Sequence, residues 1–350
     1  MDDILIVGKN VSKIAAPKNQ LSKSFAMKDL VPAKQILGMR IERDRSSNKL
    51  YLSQEKYIEK VLCKFKIDNA KAVSCPLAAR FKLSTKQYPS IDEKKKKMQH
   101  VPYASTVGSL MYAMVCIMLD IDHAVSTVRR FMSNPGRPHW EAVKWILRYL
   151  RGSTNLKLCF GSSEIVLFAY TDADMAGDVD SRKSTSGNLI TYAGGAVSWQ
   201  SKFQKCVAFS TTEAEFIAAT EASKELLWLN KFINELGFDP DKYVLFCDNQ
   251  SVIHLSKNAS FHSKLKHIDV HYHWIRDVLN SKQMQLEKVH TNDNGTDKLT
   301  KVVMKEKLNV CCQLAGMAAR KVVRSSMMSG EGVLLGYPSI WRMIWSPANS

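Results

Sequence analysis

Two kinds of sequence pattern are missing from this chain of 350 residues. Its eight cysteines show no CxxC spacing, so neither a zinc ribbon nor a disulfide framework is indicated. No basic segment followed by an apolar one opens the sequence, and the longest apolar run, LMYAMVCIML at 110–119, is about half as long as a membrane helix. We therefore expect an intracellular protein, cytoplasmic or nuclear, without a transmembrane segment.

Positive charge is concentrated in the first half of the chain. Residues 1–160 carry 29 lysines and arginines against 13 acidic residues, whereas residues 161–303 carry 15 against 18. This segregation favours one part that binds a polyanion, such as a nucleic-acid backbone, and another that holds cations. Charge that serves only solubility is the alternative.

One helix at the end of the basic half has a distinct basic face. In HWEAVKWILRYLRG the apolar residues form a stripe, while Lys144, Arg148 and Arg151 fall on a separate face at spacings of four and three. Such a face can follow the phosphates of a nucleic acid. An ordinary solvated face is the alternative.

Two apolar segments in the second half each end on an aspartate. VLFAYTD ends on Asp172 and YVLFCD on Asp248, and both segments are typical of buried strands. Ligands of α/β sheets bind beyond the carboxyl ends of the strands, so the two carboxylates converge if the strands are neighbours. Carboxylate oxygens suit Mg²⁺, and several carboxylates suit a pair of ions.

The predicted helix that begins at STTEAEF offers further acids. Helical phase places Glu215 on the same face as an apolar stripe from Ala219 to Ile233, which would pack on the sheet. We therefore assign Glu215 to the site and Glu213 to helix capping or solvent. Asp297 follows the last predicted strand, and taken alone it fits an acid that favours a helix N-terminus better than a site residue.

Several ordered motifs together carry a family resemblance. YTDAD, RKSTSG, SWQSK, STTEAE, CDNQS and TDKLTK resemble the ribonuclease H domain of copia-type retrotransposon Pol polyproteins. Upstream, MDDILIVGKN, LYLSQEKYIEKVL and HWEAVKWILRYLRG are similar to the end of the reverse transcriptase of that family. The resemblance extends over residues 1 to about 318.

The resemblance implies an α/β fold. A ribonuclease H-like mixed five-stranded sheet with flanking helices would follow a truncated reverse transcriptase palm and a helical, basic thumb or connection. The end of the chain is expected to be disordered or degenerate. The implied segments are the palm remnant at 1–77, the thumb or connection at 78–160, the ribonuclease H domain at 161–303 and a C-terminal tail at 304–350.

The resemblance also implies an activity, the cleavage of the RNA strand of an RNA:DNA hybrid. Two Mg²⁺ ions would take part, with Mn²⁺ as a possible substitute. The basic half would contact the nucleic-acid backbone. The four catalytic and metal-binding carboxylates of the family correspond to Asp172, Glu215, Asp248 and Asp297.

The polymerase motif of the family is only partly matched. Its pair of metal-binding aspartates corresponds to Asp2 and Asp3, but its earlier palm aspartate has no counterpart in this sequence. We therefore interpret Asp2 and Asp3 as vestigial and expect no polymerase activity.

Two other interpretations remain open. Integrases and transposases use a related fold with aspartates at strand ends, but their glutamate comes last, whereas the order here is Asp, Glu, Asp, Asp. The other interpretation is a catalytically inactive remnant that binds nucleic acid through its basic half. Such binding should weaken steeply as salt increases.

Overall fold

The computed structural model describes residues 4–6, 11–28, 33–161, 166–238, 240, 243–257 and 269–319. These residues form two five-stranded sheets with helices packed around them. No helix within the described ranges combines the length and the apolar character needed to cross a membrane. The strands are β1 (Gln35–Ile36), β2 (Met39–Asp44), β3 (Lys49–Ser53), β4 (Leu156–Phe160), β5 (Leu167–Ala173), β6 (Thr185–Tyr192), β7 (Gly195–Phe203), β8 (Tyr243–Cys247), β9 (Gln285–Lys288) and β10 (Met317–Ala319). The α-helices are α1 (Val11–Ser24), α2 (Glu55–Lys64), α3 (Asp92–Gln99), α4 (Tyr103–Cys116), α5 (Asp122–Val128), α6 (Arg137–Ser153), α7 (Thr211–Glu235), α8 (Gln250–Lys257), α9 (Asp269–Asn280), α10 (Asp297–Thr300) and α11 (Lys305–Leu314).

The first sheet belongs to the basic half but takes one strand from residues far along the chain. Its strand order is β1-β2-β3-β4-β10, and each neighbouring pair is antiparallel. β10 joins through the pairing of Met317 with Leu158. The segment 305–319 is therefore folded together with this sheet.

Helix α6 packs against the first sheet's core as its periodicity predicts. Val143, Leu147 and Leu150 are buried, in the same core as residues of α2 and α4. Proline near the first position of α6 suits the helix start, because the first N–H groups of a helix have no intrahelical partner. The apolar stripe of α6 is thus satisfied within the protein, and its other face is left for polar contacts.

The second sheet is mixed, with strand order β7-β6-β5-β8-β9. β5, β6 and β7 run as an antiparallel meander, whereas β8 and β9 join parallel to the central strand β5 and to each other. The parallel pairs require helical crossovers, which α7 and the later helices supply. The predicted α/β fold with a mixed five-stranded sheet and flanking helices is confirmed.

Helix α7 covers one face of the second sheet. The Ser210 hydroxyl accepts a hydrogen bond from the Glu213 N–H (3.1 Å) and so caps its N-terminus. The predicted apolar stripe is buried, since Ala219, Leu226 and Ile233 are each at most 3 % exposed. The same phase carries Glu215 onto the sheet.

The two sheets meet through backbone contacts near the β6–β7 turn. The Gly161 N–H, just after β4, donates to the Ala193 carbonyl (2.8 Å), and the Ala196 N–H donates to the Ala315 carbonyl (3.0 Å). A Cβ on Gly195 would lie 2.6 Å from the Cys159 carbonyl oxygen, so only glycine fits this approach. The proposed four-segment division stays a prediction, and residues of the segments 78–160, 161–303 and 304–350 meet at this junction.

Candidate active site

Asp172 lies near the end of the central strand β5 and is only 2 % exposed. The Thr300 hydroxyl donates a hydrogen bond to Asp172 Oδ2, and the Lys301 ammonium lies 3.4 Å from the same oxygen. On the neighbouring strand, Gly187 is opposite Asp172. A Cβ on Gly187 would approach the Thr300 methyl carbon to 2.8 Å, so this glycine allows α10 to reach the sheet.

The register of β5 against β8 brings the second aspartate beside the first. Tyr170 pairs with Phe246 in parallel, so Asp172 and Asp248, each two residues further on, lie next to each other at the carboxyl ends of the two strands. Asp248 is half-buried. The predicted convergence of the two carboxylates required β5 and β8 to be neighbours, and they are.

Glu215 reaches this end of the sheet from α7. Carboxylate oxygens of Glu215 and Asp248 and the Cys247 sulfur all lie within 4.8 Å of one another. Glu215 is 8 % exposed, and its Oε2 atom is buried without a hydrogen-bond partner. A buried carboxylate oxygen of this kind is uncommon in folded proteins and points to a partner such as a cation or water.

Asp297 opens α10, where the sequence pattern places it. The Asn294 side chain donates to the Thr171 carbonyl (2.9 Å), which fixes the turn before α10 against β5. Asp297 is 2 % exposed, and its two oxygens form ion pairs with Lys301 (2.5 Å) and Lys307 (2.8 Å). The structure therefore brings Asp297 close to Asp172, with Lys301 between them.

The electrostatics of the site follow from burial and from carboxylates close together. Burial raises the pKa of Asp172 to about 6, although Lys301 and the Thr300 hydrogen bond oppose the rise. Burial, followed by the charges of Asp172 and Asp248, raises the pKa of Glu215 to about 9. Burial alone would lower the pKa of Lys301, but Asp172 and Asp297 raise it above its ordinary value. Among the described residues, Asp172 and Asp297 form ion pairs with lysines and Glu215 does not.

The other acids near this site have structural partners. The backbone N–H of Phe209 donates to the Glu213 carboxylate (2.8 Å), which supports the capping assignment, and Glu213 is buried and therefore not in solvent. Asp174 accepts a hydrogen bond from the Thr185 N–H. Burial raises the pKa of Asp174 to about 6.

Two further acids of the β5–β6 loop connect the loop to the helical part of the chain. Arg130 donates to Asp178, and Asp180 accepts from the Ser84 hydroxyl (2.6 Å) and the Thr85 N–H (2.8 Å). The acidic loop after β5 therefore fastens the second sheet to residues of the basic half. No local sequence pattern indicates these partners, because they lie 48 to 96 positions away along the chain.

Comparisons with known proteins show which family the chain resembles. Residues 1–79 match the family described as reverse transcriptase (RNA-dependent DNA polymerase). The chain is 60 % identical over 317 residues to a retrovirus-related Pol polyprotein from transposon TNT 1-94 of Nicotiana tabacum, covering 91 % of this chain and 24 % of the polyprotein. It is also 31 % identical over 228 residues to a putative transposon Ty5-1 protein of Saccharomyces cerevisiae, covering 65 % of this chain and 72 % of that protein.

The chain belongs to the copia-type retrotransposon Pol family. The family resemblance stated from the motifs is confirmed. The chain spans about a quarter of the length of the tobacco polyprotein. Among solved structures, a ribonuclease H1 isolated from compost by a metagenomic approach is similar at 14 % identity, with a TM-score of 0.32, over 41 % of this chain and 96 % of that one. A score at this level carries no weight for the fold.

Two other predicted sites of this Pol family chain have different outcomes. Asp2 and Asp3, matched to the polymerase pair, lie outside the described residues. On α6, Arg148 donates to the Lys71 carbonyl (2.7 Å) and Arg151 donates to the Asp68 carbonyl. Both arginines therefore also hold the connection after α2.

Lys144 is the third residue of the basic face on α6. It is half-buried, and Arg148 lies over the Trp145 ring with its guanidinium carbon 5.3 Å from the ring centroid. The role of Lys144, Arg148 and Arg151 in nucleic-acid binding stays a prediction.

The donor set of this Pol family site fits a hard divalent cation. Three of the four carboxylates are nearly buried, and Glu215 Oε2 has no hydrogen-bond partner. Carboxylate oxygens of this kind are the ligands that Mg²⁺ and Mn²⁺ prefer. Asp172, Glu215, Asp248 and Asp297 are thus the residues that could hold such ions. Cys247 is the neighbour that sequence reasoning missed, and burial raises the pKa of its thiol to about 12.

Proposed function

We propose that residues 161–303 form a ribonuclease H domain that hydrolyses the RNA strand of RNA:DNA hybrids. The observation that carries this proposal is the meeting of Asp172, Glu215, Asp248 and Asp297 at one end of a mixed sheet. The Glu lies on the helix that directly follows the antiparallel meander, which favours a hybrid nuclease over the integrase arrangement.

The four carboxylates would hold two Mg²⁺ ions, or Mn²⁺ in their place. Divalent ions bound there would supply activation of the attacking water and stabilisation of the leaving 3′ oxygen. The protein's own part is placement. β5 and β8 fix two aspartates by their register, while α7 and α10 bring the other two acids against the sheet.

Recognition of the hybrid would depend on two features. The 2′-hydroxyl is the group by which a protein can require RNA at the cut strand. The basic residues 1–160, including Lys144, Arg148 and Arg151, would contact phosphates along the duplex. The β5–β6 loop, held to Ser84 and Arg130, would keep this basic part in place beside the site.

The experiment is cleavage of a labelled RNA:DNA hybrid by the full chain in Mg²⁺. An all-DNA duplex and the variant Asp248→Asn are assayed in parallel. We expect cutting of the hybrid alone, at a rate reduced about a hundredfold or more in Asp248→Asn, because a metal ligand contributes several kcal/mol to the transition state. No cutting by the folded chain, in Mg²⁺ or in Mn²⁺, would refute the proposal.

The segregation of positive charge into residues 1–160 favours a second function, the binding of nucleic acid without cleavage. Without cleavage, the basic half would still bind nucleic acid through backbone charge, as an inactive remnant would. Its affinity for a duplex should then fall steeply between about 50 and 200 mM salt. An affinity insensitive to salt would argue against this second function.

A further inference from the structure

The four carboxylates of the site differ in how far lysine ammonium groups already neutralise them. Both oxygens of Asp297 are paired, one with Lys301 at 2.5 Å and the other with Lys307 at 2.8 Å. Lys301 also lies 3.4 Å from Asp172 Oδ2. The Asp172–Asp297 side of the site therefore holds a positive charge that the chain itself provides.

The opposite side has no such charge. Within the described part of the chain, neither Glu215 nor Asp248 forms an ion pair, and Glu215 Oε2 is buried without a hydrogen-bond partner. A divalent ion gains most where carboxylates lack a counter-ion.

The two lysines are held in different ways. The ammonium of Lys307 donates to the Thr291 carbonyl (2.6 Å) and the Asn292 carbonyl (2.8 Å) as well as pairing with Asp297, so all three of its protons have acceptors. Lys307 thus ties α11 to the turn before α10. The side chain of Lys301 is 46 % exposed, and its ion pairs in the described structure are those with Asp172 and Asp297. Lys301 is therefore able to move aside when a competing cation binds.

We infer that Lys301 is a built-in cation that weakens binding of a second divalent ion between Asp172 and Asp297, so that the site binds one ion tightly beside Glu215 and Asp248. A second ion must compete with the ammonium for the same carboxylate oxygens, and like charges at such separations repel. The inference rests on the proposed function to the extent that both use the same four carboxylates. The inference adds the order in which the two divalent ions bind, and it names Lys301 as the residue that controls this order.

The experiment is a titration of the full chain with Mn²⁺ alone, in which electron paramagnetic resonance measures the free ion. The parent is expected to bind one ion tightly and a second weakly. Lys301→Met should tighten the second ion about tenfold or more and leave the first nearly unchanged, since only the competing charge is removed. Lys301→Arg keeps the charge and should keep the second ion weak.

Two further variants control this titration. Lys305→Met removes an exposed lysine at the start of α11 and should leave both affinities unchanged. Lys301→Gln is a second neutral replacement, with folding checked by circular dichroism, in case the methionine variant does not fold. The inference is overturned if folded neutral variants bind the second ion no more tightly than the parent does.

The outcomes of this titration and of the cleavage assay are separate. If the neutral variants tighten the second ion but no hybrid is cut, the inference stands and the proposed nuclease fails. If hybrids are cut while the second affinity does not respond to Lys301, the nuclease stands and the inference fails.

Discussion

Replacing Glu215 with glutamine should make the metal-free protein more stable near neutral pH. Burial and the charges of Asp172 and Asp248 raise the pKa of Glu215 to about 9 in the folded protein, from an ordinary value of 4.5 that applies to the unfolded chain. At pH 7 the metal-free folded protein keeps a proton that the unfolded chain releases, and a bound ion would displace this proton. This difference disfavours folding, and the neutral amide of glutamine removes it.

The size of the effect follows from the interval between pH 7 and the unfolded pKa. About 2.5 pH units at about 1.4 kcal/mol each give an upper limit of about 3.5 kcal/mol. The charge of Lys301 opposes the rise in the pKa of Glu215 and reduces this figure, so we expect a gain of about 1 to 3 kcal/mol for Glu215→Gln at pH 7. Near pH 4 and below, the carboxyl is protonated in both states and the gain should vanish, whereas it should grow as pH rises towards 9.

The assay is urea unfolding of the full chain in EDTA at pH 7 and at pH 4. Glu213→Gln, two residues earlier on the same helix, is the matched control and should not stabilise the protein. Its amide oxygen can still accept from the Phe209 N–H, while the negative charge that favours the N-terminus of α7 is lost. Added Mg²⁺ should reduce or reverse the difference in unfolding free energy between Glu215→Gln and the parent, because an ion that binds only the folded state stabilises the parent. A variant no more stable than the parent at pH 7, or equally favoured at pH 4, would refute the reasoning.

Three other changes test the contacts around the site. Gly187→Ala should lower the rate of hybrid cleavage at least about tenfold while the chain stays folded. The added Cβ would meet the Thr300 methyl carbon at 2.8 Å and push α10 away from the sheet. An unchanged cleavage rate would contradict this. Arg130→Met should destabilise the chain by about 2 kcal/mol in urea unfolding at pH 7, because it leaves the buried Asp178 carboxylate without its ion pair. The folded pKa of Asp178 is lowered, so the difference between Arg130→Met and the parent should shrink as pH falls below the ordinary value of 3.8. Lys144→Met should reduce the salt dependence of duplex binding by about one counterion, and an unaltered slope would remove Lys144 from the nucleic-acid contacts.

Several features of the fold and of the candidate site could be predicted from the sequence. The apolar run that ends on Asp172 forms β5, and the apolar run before Asp248 forms β8. The helical phase that separates Glu215 from Glu213 is observed in α7. Asp297 begins α10 as predicted. Each of these features depends on residues within a few positions along the chain, since side-chain direction repeats every two residues in a strand and every 3.6 in a helix.

Other features depend on how distant segments pack, and the sequence alone did not determine them. Thr300 bonds Asp172 across 128 positions, and Ser84 bonds Asp180 across 96. Cys247 lies beside Glu215 only because α7 crosses the sheet over the end of β8. Lys301 is the exception for which a local signal existed, since it stands four residues after Asp297 on a helical turn.

The sequence by itself therefore determined the secondary structure around the site and which acids face the sheet, because local periodicity encodes both. Only the tertiary structure decided which carboxylate oxygens form ion pairs with a lysine. It also decided that the segment 305–319 adds the strand β10 to the first sheet. The physical reason is that ion pairing and strand register are set by distances between elements. Those distances depend on the packing of both cores together, including the close glycine contacts at the β6–β7 turn.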